Sequence, residues 1–309
     1  MSDKKIIVTV IGSGTIGMSW AALFATNGYH VRLNDVRPDF ATAIAGRLKE
    51  MIAQISDDPD TAFGRISFHT DLAEALEGTM LVQENGPENP AFKQKMFADL
   101  EAMTGADTML VSSSSGITPD VIGAQMKDPA RVMIGHPLNP PHMVRLVEIC
   151  GATGADDAVV ERLMAFYEDC GRVSVRLNKP IPGFVVNRLQ VALVREAIHI
   201  ISEGVVDVEG LDKIVVNSLG VRYASIGPML TAQLGGGQGG LREMVEKILA
   251  GLVAALNLPP VDAETVALLD AQASATYPLD RIAEFGAVRD VRQSKVIAMQ
   301  DETPLPKAG

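Results

Sequence analysis

The segment IIVTVIGSGTIG, residues 6–17, most constrains what this chain can fold into. A short apolar, β-branched run leads straight into Gly12-Ser13-Gly14-Thr15-Ile16-Gly17, and a helical stretch, MSWAALFATNG, follows. A strand, a glycine turn and a helix in this order hold a pyrophosphate. The first glycine permits the tight turn, the second lets the backbone approach the phosphates, and the third brings the helix close to the strand. Here these are Gly12, Gly14 and Gly17, with Thr15 and Ile16 completing the turn. A second strand, HVRLND, ends in Asp35, 18 residues after Gly17. An acidic side chain there accepts hydrogen bonds from an adenosine ribose and repels a 2′-phosphate. The pattern predicts an NAD site. Arg37, close to Asp35, weakens the preference over NADP slightly.

Beyond this unit the first half alternates apolar runs (TMLVQEN, TMLVSSS, RVMIGH, VSVRLN) with amphipathic stretches such as PAFKQKMFADLEAMTG. Strands alternating with helices predict an α/β, Rossmann-type doubly wound parallel sheet. HMVRLVEIC reads as an added edge strand. The prolines and glycine of NKPIPG end the last strand. Helical patterns follow, beginning with FVVNRLQVALVREAIHIISEG. The expected organisation is an NAD-binding Rossmann domain over residues 1–180 and an all-helical substrate and dimerisation domain over residues 181–309.

Composition narrows the function classes. Of 309 residues, 47% are hydrophobic and 21% charged, which suits packed domains rather than a disordered chain. The net charge of −11 and the lack of a basic run argue against a nucleic-acid partner. No uncharged apolar span approaches 18 residues, so no membrane partner is expected, and the N-terminus carries no apolar leader. A cytoplasmic location is expected. Cys150 and Cys170 lack metal-ligand spacing, so they read as buried thiols and no metal is expected. The apolar faces of the helical half predict a homodimer.

Four patches carry chemistry. Ser112-Ser113-Ser114-Ser115-Gly116 and Gly135-His136-Pro137-Leu138-Asn139 each directly follow a strand, where open parallel sheets bind ligands. Glu148 sits in the apolar run RLVEI, and Asn187 in PGFVVNR at the domain junction. A neutral imidazole takes a proton from an alcohol as hydride leaves, and a carboxylate on its other nitrogen fixes the tautomer. His136 is therefore the candidate base and Glu148 its partner, while Ser115 and Asn187 can hydrogen-bond the reacting oxygen. Each also has a purely structural reading. His136 can bond a backbone carbonyl, Ser115 can form a turn, Asn187 can cap the following helix, and Glu148 can be a solvated charge. His142 reads as second-choice chemistry or a surface residue.

With IGSGTIG, ENGPE, SSSSG, GHPLNPPHMVRLVEI and PGFVVNRLQ in this order, the chain resembles the 3-hydroxyacyl-CoA dehydrogenase family from Ile6 to about Leu234. The resemblance implies a Rossmann domain, a helical domain that often dimerises, and NAD as hydride acceptor. It places His136 as catalytic base, Glu148 as its partner, and Ser115 and Asn187 on the substrate oxygen. It also puts Glu88 and Lys93 near the cofactor, although the two can equally form a surface pair.

The stretch from Val36 to Thr70 is shorter than in acyl-CoA members, and Asp57-Asp58-Pro59-Asp60 interrupts it. Acidic groups are poor neighbours for CoA phosphates. GVRYASIGP resembles the non-CoA branch, which contains L-gulonate 3-dehydrogenase (the lambda-crystallin relatives) and carnitine dehydrogenase. Another member acts on a pyridine-ring aldehyde carboxylate in vitamin B6 degradation. Arg222 offers a fork suited to a carboxylate and Arg145 a second anion contact; surface or interdomain salt bridges are their bland alternatives. The expected substrate is thus a small anionic hydroxy acid or aldehyde. A short-chain acyl-CoA dehydrogenase and a crystallin-like NAD-binding protein are the competing readings.

Overall fold

The apolar runs form eight strands: β1 (Ile7–Ile11), β2 (His30–Asn34), β3 (Ile66–His69), β4 (Leu81–Glu84), β5 (Met109–Ser112), β6 (Val132–Pro137), β7 (Leu146–Gly151) and β8 (Val173–Arg176). The computed structural model describes residues 6–256 and 262–303. All eight strands join one sheet in the order β3-β2-β1-β4-β5-β6-β7-β8. Every neighbouring pair is parallel except β6 and β7. The central strands are buried on both faces, which is why they read as continuous apolar runs.

Two elements differ from the sequence reading. ISFH forms β3, an edge strand beside β2; its short, half-polar run gave little apolar signal. The run read as an edge strand, β7, lies inside the sheet between β6 and β8. The connection from β6 to β7 is only residues 138–145, too short for a crossover, so β7 folds back antiparallel. β8 then returns after the helix Asp157–Asp169 and pairs parallel to β7.

Helix α1 (Thr15–Thr26) packs so closely that Gly17 through Ala25 are all buried. Gly12 has φ +87°, and a side-chain carbon on Gly17 would stand 1.8 Å from the Gly12 carbonyl oxygen. These two glycines bring α1 onto the sheet at the point where strand order reverses between β1 and β4. The core beneath stacks Trp20 on Phe24 and Tyr167, with ring centroids 5.3 and 5.2 Å apart.

The chain divides into two compact units, Met1–Leu193 and Val194–Gly309. The eight strands of the described residues all belong to the first. Among its described residues the second holds only helices and turns, around a small core of Leu241, Val245, Val266 and Ala273. Among the described residues no helix is long and apolar enough to cross a membrane. Both cysteines are buried, and burial pushes the Cys150 pKa up to about 11.

Substituting Gly17→Ala forces α1 off the turn. We expect a loss of about 1–3 kcal/mol in stability, as for an overpacked core, together with weakened NADH binding; urea denaturation and nucleotide titration read both.

Candidate active site

The dinucleotide cradle comes first. No side chain caps the N-terminus of α1, so its first N–H groups are left for an anion. The space over Gly14 is open, with no atom within 4 Å of an added side-chain carbon. Asp35 follows β2 and is held by Ser13 and Arg37. Its burial opposes ionisation, but hydrogen bonds from Arg37 and Ser13 outweigh this and hold the carboxyl far below the usual range. An uncapped helix start, an open glycine and an ionised carboxylate after β2 together fit a dinucleotide.

A cavity of about 520 Å³ opens at the carboxyl ends of β4, β5 and β6, with Ile16 of α1 on its wall. His136 and Glu148 face each other here because they are directly opposed residues of the antiparallel β6–β7 pair. His136 Nδ1 lies 2.8 Å from Glu148 Oε2, and both side chains are buried. Glu148 Oε1 accepts the backbone N–H groups of Val185 at 2.9 Å and Val186 at 3.0 Å. Burial works against the charge on Glu148, but His136 and these two N–H groups prevail and keep its pKa below the ordinary value.

The PGF segment explains that clamp. Gly183 has φ +76° and Phe184 φ +49°, so two successive residues turn left-handed. This conformation costs a non-glycine residue about 1–3 kcal/mol. Phe184 is fully buried among Ile11, Leu110 and Ile134, with its ring 5.2 Å from that of His136. The burial offsets the strain and aims the start of the helix Val186–Ser202 at Glu148.

Ser115 and Asn187 come together on the cavity wall, where Asn187 Nδ2 donates to the Ser115 carbonyl at 2.9 Å. Glu88 Oε1 accepts from the Ser114 hydroxyl at 2.6 Å and from the N–H groups of Ser115 and Gly116 at 3.0 Å each. It thereby shapes the serine turn. Lys93 is fully buried and donates to both oxygens of Glu84, at 2.9 and 2.8 Å; Glu88 Oε2 is 3.7 Å away. The reading of Glu88 and Lys93 as a surface pair is corrected: Lys93 belongs to a buried ion pair with Glu84, which the sequence reading missed. Ser112 completes it by donating to Glu84 at 2.6 Å.

The two arginines stand in different units. Arg145 is exposed, donates from Nε to the Gly171 carbonyl at 3.1 Å, and is absent from the cavity lining. Arg222 is an exposed residue of the second unit, on the helix Val221–Ser225. His142 is neither a surface residue nor on the cavity. It is buried, with Nδ1 2.6 Å from Ser19 Oγ and Nε2 2.7 Å from Gln54 Oε1. Burial and the nearby Arg172 lower its pKa, which favours the neutral ring. Asn139 and Gln190 also line the cavity. The first lay in the quoted GHPLNPP motif; the second could be found as the position one helical turn after Asn187.

Residues 7–180 match the NAD binding domain of 3-hydroxyacyl-CoA dehydrogenase, and residues 183–272 match its C-terminal domain. The chain belongs to the 3-hydroxyacyl-CoA dehydrogenase family. It is accordingly an NAD-dependent dehydrogenase. Within the family it is 36% identical over 246 residues to an L-carnitine dehydrogenase of Streptomyces griseus, covering 77% of this chain and 72% of that one. It is 37% identical over 253 residues to a 3-hydroxyacyl-CoA dehydrogenase of Gibberella moniliformis, covering 80% and 79%. A solved structure of 5-formyl-3-hydroxy-2-methylpyridine 4-carboxylic acid 5-dehydrogenase, an NAD+-dependent dismutase, superposes with a TM-score of 0.73 at 27% identity, covering 96% and 97%.

Two consequences are measurable. Lys93→Met leaves the Glu84 carboxylate buried without its cation, at an expected cost of about 3–5 kcal/mol in denaturant unfolding; adding Glu84→Gln should recover most of it. Glu88 and Glu148 both have lowered folded-state pKa values. Their ionised forms stabilise the fold above the unfolded carboxylate value of about 4.3, and this is lost as pH falls through the lowered folded values. Melting temperature plotted against pH should therefore fall less steeply on the acid side for Glu148→Gln than for the parent.

Proposed function

We propose that this chain oxidises a small carboxylate-bearing hydroxy acid or aldehyde, not a CoA thioester, with His136 as general base and Glu148 as the group that orients it. The observation that carries the reading is the 2.8 Å contact between His136 Nδ1 and Glu148 Oε2 beside the cavity. A carboxylate on Nδ1 keeps the proton there and leaves the Nε2 lone pair for the substrate. As an alcohol is oxidised, the imidazole takes the hydroxyl proton and Glu148 meets the charge that forms on the ring. NAD supplies the hydride acceptor. Ser115 contributes its hydroxyl and Asn187 its second amide hydrogen to the reacting oxygen. For an aldehyde, the same base deprotonates the hydrate, and hydride loss then yields the carboxylate.

Size and charge support a compact substrate. Asn139, Asn187, Gln190 and Ser115 give the cavity neutral hydrogen-bonding groups, and its lysine is held by Glu84. Between β2 and β3 the chain has Asp57, Asp58 and Asp60, with Asp58 capping the short helix Pro59–Phe63. Such groups disfavour CoA phosphates. Two of the relatives above are named for small substrates, one of them a pyridine carboxylic acid. Arg222 is kept as the proposed carboxylate partner for the fork its guanidinium offers; Arg145 is left out, because its side chain is turned to the Gly171 carbonyl. A homodimer belongs to the same reading. The helix Val186–Ser202 buries none of its residues yet exposes Leu189, Val191, Leu193, Val194 and Ile198.

The test is steady-state kinetics with NAD on a panel of hydroxy acids, pyridine aldehyde carboxylates and, in reverse, acetoacetyl-CoA. His136→Gln should lower turnover by about 10²–10⁴-fold while NADH affinity stays unchanged. Arg222→Met should raise the Michaelis constant about tenfold or more, the worth of a charged hydrogen bond. Undiminished turnover in His136→Gln sinks the base assignment, and preference for the CoA thioester sinks the substrate class.

A further inference from the structure

Asp35 is already full. Its Oδ1 accepts from the Arg37 backbone N–H at 3.1 Å and from Arg37 Nε at 3.0 Å. Its Oδ2 accepts from the Ser13 N–H at 3.0 Å, the Ser13 hydroxyl at 2.5 Å and Arg37 NH2 at 3.1 Å. Five donors converge on a group that offers about four lone-pair sites. A ribose diol therefore finds no free acceptor until a donor leaves. Ser13 is buried in the β1 turn and cannot move far. The Arg37 side chain is 54% exposed, against 13% for Asp35; it also donates to the Ser13 hydroxyl oxygen at 2.7 Å, and as the exposed donor it is the one a ligand can displace.

We propose that Arg37 is a displaceable latch that lets this site take NADP as well as NAD. The ribose diol lifts the guanidinium from Asp35, and the freed fork then meets a 2′-phosphate when NADP brings one. The fork suits a phosphate because two parallel N–H groups match two phosphate oxygens. The Arg37 main chain stays tied to Asp35 through its own N–H, so the swinging side chain remains beside the ribose. Asp35 still repels the phosphate, so NADP is the weaker partner. The same latch makes NAD bind less tightly than an unobstructed Asp35 would allow.

Nucleotide binding tests this independently of the His136 assignment. The apo protein and Arg37→Ala are titrated with NADH and with NADPH, following nucleotide fluorescence at two salt concentrations. The parent should bind NADPH measurably, though more weakly than NADH. Arg37→Ala should tighten NADH severalfold and weaken NADPH about tenfold, the loss expected for a charged hydrogen bond. The NADPH difference between parent and variant should shrink at high salt, because the fork and phosphate interact partly through solvent. No NADPH binding by the parent overturns the proposal. Equal changes for both nucleotides also overturn it, since Arg37 would then only shape the turn.

Discussion

One carboxylate ties the cavity end of the first unit together. Glu148 stands on β7, touches His136 on β6 with one oxygen, and with the other receives the two N–H groups that follow the Gly183–Phe184 turn. Three separated stretches of chain thus share one charge. The antiparallel register of β6 and β7 sets the first contact, and the strained turn sets the second. Either element placed one residue out of register would turn the pair away from each other, because strand side chains alternate faces.

Around this anchor, polar groups are satisfied in chains rather than singly. Tyr167 donates to Gln83, Gln83 and Trp20 both donate to Ser113, and Ser113 donates to Asn85 on the cavity wall. The Asn85 carbonyl in turn sits close against Gly12. Lys93, Glu84 and Ser112 form a second such group around a buried ion pair. Low dielectric makes each of these costly to leave half-made, so their completion fixes the cavity wall in a single arrangement. His142 does similar work at a distance, joining the loop after β6 to Ser19 on α1 and to Gln54.

Much of this was legible in the residues. The glycine turn, Asp35 and the strand–helix alternation follow from local spacing, and local spacing is what a sequence displays. His136 at a strand end and Glu148 inside an apolar run were also visible as candidates, and the antiparallel register of β6 and β7 is what sets them opposite each other. Glu84 was not, because a carboxylate at a strand end reads as solvated until Lys93, nine residues later and beyond a turn, is folded over it. β3 escaped because its run is short and half-polar. β7 was assigned to an edge because neither the length nor the apolarity of its run tells whether another strand will pair beyond it. Gln190 was hidden as one polar position among several on an amphipathic helix.

The chain has a single tryptophan, and its indole N–H is bonded to the Ser113 hydroxyl, a group that lines the cavity. Its ring is fully buried against Phe24 and Tyr167, shielded from bulk solvent. Whatever alters the bonding of that hydroxyl alters the indole's surroundings directly. The protein therefore carries an intrinsic optical reporter, wired by one hydrogen bond to the wall of the cavity.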